Sequence, residues 1–430
     1  MSTDKYKAKL KHLSDQLVNL QKPILILDAI KGPNEIQEKF VSRKNLSLPK
    51  IDRHYYESIT LNFNPVQQKQ AFRELKLDVD RDLGKHDKMG EILKNTIDQY
   101  IVVIDMLLNR GKKEFLDYSR MLYGSASDHL YGDKKTLIEL GERLCHIFSL
   151  PATVHLAKPY SKDISAKKAV KTLNTKLQDY FSQEEVCVRI SDGIVSDASA
   201  GGDGIKVNAN AKFSTLDLQV LEVHEGWVHI GTTLNGRRQK WASWLSVGSP
   251  RITSTQEGLA VLIETLTFSS YPGRAKRISD RVIAINMAEQ GADFIDIYRY
   301  FVESGLNESE SFVIAQRTFR GGMVNGDACF TKDLSYVRGF VETVNFLKSA
   351  ILSDIPEVLP MLFVGKVTLE DIPVLYEHML EGIIEAPKYL PPMFRDLNGL
   401  YTWFGFSSGL ALIDLVKVQK QFEKEFQLMQ

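Results

Sequence analysis

The stretch VHEGWVH, residues 223–229, sets His224 and His229 five positions apart, with Glu225 directly after the first histidine. On a regular helix, turning about 100° per residue, a step of four leaves two side chains roughly 40° apart, whereas a step of five leaves them about 140° apart. Two imidazoles so placed share a centre only if the helix absorbs one extra residue. A single wide, π-type turn does this, and such bulges gather at functional sites. Gly226, between the histidines, permits the distortion and otherwise weakens a helix. The spacing therefore predicts an irregular helix if the rings converge, and two unrelated histidines if they do not.

Working outward, Val186, Val188 and Ile190 alternate with Cys187 and Arg189, while Ile205, Val207 and Ala209 alternate with Lys206, Asn208 and Asn210. Two strands are expected, joined by the glycine-rich turn SDASAGGDG, residues 196–204. Ser214 and Asp217 have capping-box spacing and open the histidine helix, which is expected to end near Asn235-Gly236. A loop with Trp241, Trp244, Gly248 and Pro250 leads to a second helix, TSTQEGLAVLIETLTF (253–268), stopped by Tyr271-Pro272-Gly273. Before all this, amphipathic stretches such as KYKAKLKHLSDQLVNL (5–20) and EILKNTIDQYIVVIDMLL (91–108) make residues 1–164 an N-terminal helical region. A polar helix, AKKAVKTLNTKLQDYF (166–181), opens a core spanning 165–345. Helical patterns continue through 346–430, a C-terminal region packed on that core. The fold class is α+β, mainly helical, with a small β-sheet.

A chain of 430 residues affords two to three domain-sized units or one large body with appended helices. It carries 54 basic and 54 acidic residues, with no basic run of the kind that holds nucleic acid. Cys145, Cys187 and Cys329 are an odd, scattered set that fits a reducing compartment, and the opening MSTDKYKAKLKHLSDQ has no apolar signal region. A cytoplasmic protein is expected. The uncharged run LNGLYTWFGFSSGLALI (397–413) is marginal for crossing a bilayer and reads as a buried helix or pocket wall, so no membrane association is expected.

Neutral imidazoles with a carboxylate are ligands zinc favours, and a catalytic zinc takes three protein ligands and leaves a fourth position open. Glu257, 28 residues past His229 at the start of the next helix, is the candidate third ligand, and Gly258 beside it leaves room for close packing. Ser254 and Glu257 also fit a capping box, in which case Glu257 merely closes a helix start. Glu225 suits a general base held beside a metal.

HEGWVH followed by TQEGLA (255–260) resembles the family named for its QEGLA motif, labelled in bacteria as flavohemoglobin expression-modulating proteins and related to the microtubule-associated tyrosine carboxypeptidases of animals. LYG at 122–124, FRGG at 319–322 and FTKD at 330–333 extend the resemblance over most of the chain. It implies a zincin-like metallopeptidase with one Zn2+ on His224, His229 and Glu257, with Glu225 as catalytic glutamate. It further implies release of a C-terminal residue, often aromatic, from a peptide or protein; the tubulin substrate belongs to the animal branch.

Such an enzyme must hold a free α-carboxylate, for which arginine is the favoured partner and lysine a point-charge substitute. Arg320 beside Gly321-Gly322 is the first candidate, Lys332 the second, with Arg317 and Arg338 near by; each is equally well read as a surface cation or helix cap. Tyr336 suits a donor to a developing oxyanion, with Tyr298 and Tyr300 as alternatives. Trp227 is read as core packing ahead of a side-chain pocket. Two other functions use the same residues: a metal-dependent hydrolase of a non-peptide bond, and a non-catalytic metal-binding regulator.

Overall fold

The structure is a computed structural model, and it describes residues 3–427 apart from 34–35, 42–46, 158–159, 182–185, 193, 195 and 203. Ser214 and Asp217 form the expected capping box, each side chain taking the other's backbone N–H. The helix then runs as a regular segment Thr215–Leu221, a π-helix Glu222–Ile230 and a second regular segment Gly231–Arg238. At its end the Gly231 N–H reaches the Gly226 carbonyl five residues back, the spacing of a wide turn. Gly226 itself has ordinary helical geometry, with no positive φ. Its service is contact: a Cβ there would lie 2.3 Å from Leu177 Cδ2, on the helix Ala166–Tyr180 that packs across it.

Three strands shelter one side of this helix: β1 (Val188–Ser191), β2 (Ala198–Gly201) and β3 (Gly204–Asn208), in the order β1-β3-β2. β1 runs parallel to β3 and β2 antiparallel to it, with Ala198 opposite Val207 and Ala200 opposite Ile205. β1 and β3 are the expected strands. β2 lies in the stretch read as a turn, because Ala, Ser and Gly have little strand preference and become one only through pairing with β3. It is one of the sheet's two edge strands, β1 being the other. A short ribbon of Ile164–Ser165 with Lys212–Phe213 closes the base of this unit.

The Glu257 helix spans Thr253–Leu266, entered from a 3-10 turn at Pro250–Ile252. Its N-cap is Ile252, and Ser254 donates to Glu342 at 2.8 Å, so the capping box open in the sequence does not form. The helix ends at Leu266, short of Tyr271-Pro272, which instead opens the helix Pro272–Glu289 with proline in the first turn. It crosses the helix Ser335–Leu352 backbone against backbone, since a Cβ on Gly258 would stand 1.9 Å from the Gly339 carbonyl carbon and one on Gly339 1.8 Å from the Ser254 oxygen. Two glycines face each other, and nothing larger fits.

The largest core unites Leu10 and Leu17 of the first helix, Ile97 and Ile104 of helix Lys88–Leu108, Val228 of the histidine helix, Leu259 and Ile263 of the Glu257 helix, and Leu359, Phe363 and Phe404 near the C-terminus. A second core gathers Val282, Phe294, Phe312 and Tyr336; a third puts Leu173 and Leu177 against Ile205, Val207 and Ile230. The histidine helix is thus gripped from two sides. The uncharged run near the C-terminus forms the helix Asn398–Leu410, but it is not a buried wall: Leu400 and Phe404 are buried, while Trp403 and Phe406 are 63% and 70% exposed. Its apolar residues cover both faces, and only one finds the helix Ser335–Leu352. It meets the helix Leu415–Gln427 at 85°, and among the described residues no single helix is long and apolar enough to cross a membrane.

The glycine crossing generates a stability prediction. Gly339→Ala forces the two helices apart and is expected to cost about 3 kcal/mol, the upper end of overpacking, read as a lower urea midpoint with unchanged m-value. An unchanged midpoint refutes the close crossing.

Candidate metal centre and active site

The π-helix turns both imidazoles to one side, with ring centroids 4.8 Å apart and planes nearly perpendicular at 87°. Glu257 comes from the next helix to meet them. Its Oε2 stands 3.5 Å from His224 Nε2 and 3.7 Å from His229 Nε2, and one donor atom from each of the three residues lies within 4.8 Å of the others. These are ion-pair separations rather than hydrogen bonds, and Glu257 Oε2 is buried with no hydrogen-bond donor. Two zinc ligands at tetrahedral angles and bonds of about 2.0–2.1 Å stand about 3.3–3.4 Å apart, so the residues present fit such an ion.

Each of the three side chains is held from behind. His224 Nδ1 meets Glu264 Oε1 at 2.6 Å, and Arg274 grips Glu264 at 2.9 and 3.2 Å. His229 Nδ1 faces Gln256 Oε1 at 3.4 Å, while Glu257 Oε1 takes a 3.1 Å bond from Lys332 Nζ. Metal-ligating histidines are oriented by such partners on the opposite ring nitrogen. Glu264, Arg274 and Gln256 were not singled out in the sequence, where Glu264 reads as one more position of an apolar helix.

Burial opposes charge on every one of these groups, and the neighbours decide the outcome. For His224 the Glu257 and Glu264 carboxylates outweigh desolvation and push its pKa up to about 10. Glu257 is held well below the usual carboxylate range against its burial, chiefly by Lys332 and the imidazoles, and Glu264 is held at about 2, chiefly by Arg274. Lys366, which donates to the His229 carbonyl at 2.9 Å and to Gln256 Oε1 at 2.8 Å, is pushed down to about 7 by burial.

Glu225 lies almost wholly buried beside this triangle, and its Oε2 accepts the Ala200 N–H of β2 at 2.6 Å. Tyr336 stacks near His224, centroids 6.4 Å apart, and carries the Arg281 guanidinium 4.3 Å above its ring. Behind it, Arg317 commits two nitrogens to Asp333 at 2.6 and 2.7 Å. Arg320 lies over the Phe330 ring, 3.8 Å from Asp333, with its Nε unpartnered; Arg281 has an unpartnered Nη1. Asp333 serves three arginines, so positive charge is in excess, and burial followed by repulsion from Arg317 lowers Arg320 to about 10.

Of the other sequence candidates, Arg338 is bound to Asp128 and the Tyr123 and Ser125 carbonyls. Tyr298 packs edge-on against Phe40, and Tyr300 is largely exposed. Trp227 stacks on Tyr180, centroids 5.0 Å apart, and packs against the main core. Arg281 joins the basic cluster without having been a sequence candidate, since it sits mid-helix in a stretch rich in cations.

No curated protein matches the chain. A family model described as microtubule-associated tyrosine carboxypeptidase matches residues 38–411, a span that includes every residue of this site. With that match over most of its length, the chain belongs to the microtubule-associated tyrosine carboxypeptidase family.

Proposed function

We propose that the chain is a zinc-dependent carboxypeptidase that releases a C-terminal residue, tyrosine by the family's description, from a peptide or protein. The observation that carries the reading is a buried carboxylate oxygen without a donor, facing two imidazole nitrogens at 3.5 and 3.7 Å, with a further carboxylate on the adjoining residue 225. A zinc ion held by His224, His229 and Glu257 supplies Lewis acidity toward a peptide carbonyl and brings water into ionising range near neutral pH.

The chain's own groups do the rest. Glu225 takes the proton of the attacking water and hands it to the departing amine, so one carboxylate both makes the nucleophile and neutralises the leaving group. The Ala200 N–H fixes Oε2 and leaves the other oxygen for that transfer. The outer side of β2 offers main-chain groups to an extended peptide, as edge strands do. Arg320 and Arg281, each with an uncommitted N–H, suit the substrate carboxylate, with Lys332 adding charge; Arg317 is tied to Asp333 and acts by holding that acid in place. Tyr336, next to His224, suits a donor to the developing oxyanion.

Two measurements test this. Purified wild type and Glu225→Gln are both expected to hold one zinc per chain by elemental analysis, while cleavage of peptides with free C-termini, followed by mass spectrometry, falls about 10²–10⁴-fold in the variant. Glu257→Ala is expected to lose the metal as well. Metal-free wild type, or an undiminished Glu225→Gln, overturns the assignment. Arg320→Met and Arg281→Met are expected to keep the zinc and lower kcat/KM for free-acid peptides about ten- to a hundredfold, the value of a lost charged hydrogen bond. Amidated peptides are expected to resist all forms; if they are cut as fast as free acids, the enzyme does not read chain ends.

A further inference from the structure

Lys366 lies 137 residues beyond His229 in sequence, yet its amine is inserted beneath the histidine helix. It faces three oxygens: the His229 carbonyl at 2.9 Å, Thr232 Oγ1 at 2.9 Å and Gln256 Oε1 at 2.8 Å. The Thr232 hydroxyl has one hydrogen for the Val228 carbonyl at 2.7 Å, the His229 carbonyl at 3.2 Å or Gln256 Oε1 at 2.9 Å, and in each case its oxygen can accept from the lysine. An ammonium has three hydrogens and no acceptor, and here it finds three acceptors. As a neutral amine it would still hold two hydrogens for the two carbonyl oxygens, with its lone pair taking the Thr232 hydroxyl hydrogen.

The consequence passes through Gln256. A glutamine amide has an accepting end and a donating end of nearly equal size, and only its partners decide which way it points. Turned over, the amide would press its NH₂ against the lysine ammonium, so Oε1 is fixed toward the lysine. Gln256 Nε2 has no hydrogen-bond partner in its place, a cost the arrangement accepts. The same Oε1 confronts His229 Nδ1 at 3.4 Å, and an acceptor there requires that this ring nitrogen carry the proton. In a neutral ring, His229 Nε2, the atom 3.7 Å from Glu257 Oε2, is then left with its lone pair.

We infer that Lys366 is a positioning residue of the metal centre: by locking the Gln256 amide it holds His229 in the tautomer that offers Nε2 to the ion. This rests on the zinc reading above, but it concerns a property of the metal-free protein. In Lys366→Met, similar in length and apolar, the amide is free to turn and present Nε2–H to His229 Nδ1, which sends the ring proton to the metal-facing nitrogen.

The test uses the full chain with ring-¹⁵N histidine, metal-free and at neutral pH, in long-range proton–nitrogen correlation spectra, alongside zinc affinity by chelator competition. Wild-type His229 is expected to show a protonated Nδ1 and a bare Nε2. Lys366→Met is expected to move part of the population to the other tautomer and to weaken zinc binding about ten- to a hundredfold, the usual effect of losing an outer partner. Lys366→Met combined with Gln256→Glu is expected to restore both, because a carboxylate accepts at either oxygen and has no wrong orientation. Should Lys366→Met not fold, Gln256→Glu and Gln256→Met in the wild-type background carry the comparison, the first keeping the tautomer and the second losing it. Unchanged spectra and affinity within twofold in Lys366→Met, or a folded double variant no better than the single one, overturn the inference. Wild type that binds no zinc but shows the tautomer shift removes the metal reading and leaves the lock standing.

Discussion

One extra residue between two histidines is the constraint on which the rest of this structure turns. A five-residue step brings two side chains to one face only in a widened helix, and widening leaves backbone carbonyls without their regular donors. The chain answers at each point. The Thr232 hydroxyl lies 2.7 Å from the Val228 carbonyl, and the Thr233 hydroxyl and the Lys366 amine turn to the His229 carbonyl. On the outside, Gly226 lets Leu177 close over the wide turn, and the three-stranded sheet and the helix Ala166–Tyr180 press on it from that side. A wide turn is unfavourable alone; here it is enclosed between two cores that leave no space for the regular alternative to relax into.

The second feature that the fold must support is charge without water. Buried ions are costly unless paired, and the pairings here are graded. Glu264 and Arg274 compensate each other fully behind His224; Arg317 and Asp333 do the same behind Tyr336. Nearer the triangle the matching is incomplete: Glu257 keeps an oxygen without a donor, and Arg281 and Arg320 keep nitrogens without acceptors. The unmatched negative atom points at two imidazoles, and of the unmatched cations Arg281 lies over Tyr336, which stacks near His224, and Arg320 over Phe330. The fully paired groups act as scaffold, while the unmatched ones are open to a cation on one side and an anion on the other.

How much of this could be read from the chain follows from the range of each interaction. The capping box at Ser214, the helix start after Ser165 and the alternation of Val188 and Val207 are local, and the structure contains all three. The wide turn was legible because five-residue spacing leaves few geometric options. β2 was not, because Ala198 to Gly201 become a strand only by pairing with Ile205 and Val207. The exposure of Trp403 and Phe406 was hidden for the opposite reason: apolar character tells that a face seeks a partner, not whether the chain provides one. The two histidines and Glu257 announce themselves by type and spacing, whereas Glu264, Gln256 and Lys366 are ordinary residues until the fold brings them against the histidines.

That difference in range assigns work along the chain. Both histidines, the neighbouring glutamate and Glu257 lie within residues 224–257, so the triangle itself is nearly local. The partner of His229 is Gln256, but the amine that meets Gln256 comes from position 366, 110 residues further along the chain. Lys366 is in turn held by its own backbone, whose N–H donates to the Leu245 carbonyl at 2.6 Å, in the loop between the two ligand helices. The adjacent Gly365 allows this approach, since a Cβ there would stand 2.7 Å from that same carbonyl oxygen. A segment carrying His224, His229 and Glu257 but ending before residue 365 would therefore contain the whole triangle and lack the amine that meets Gln256.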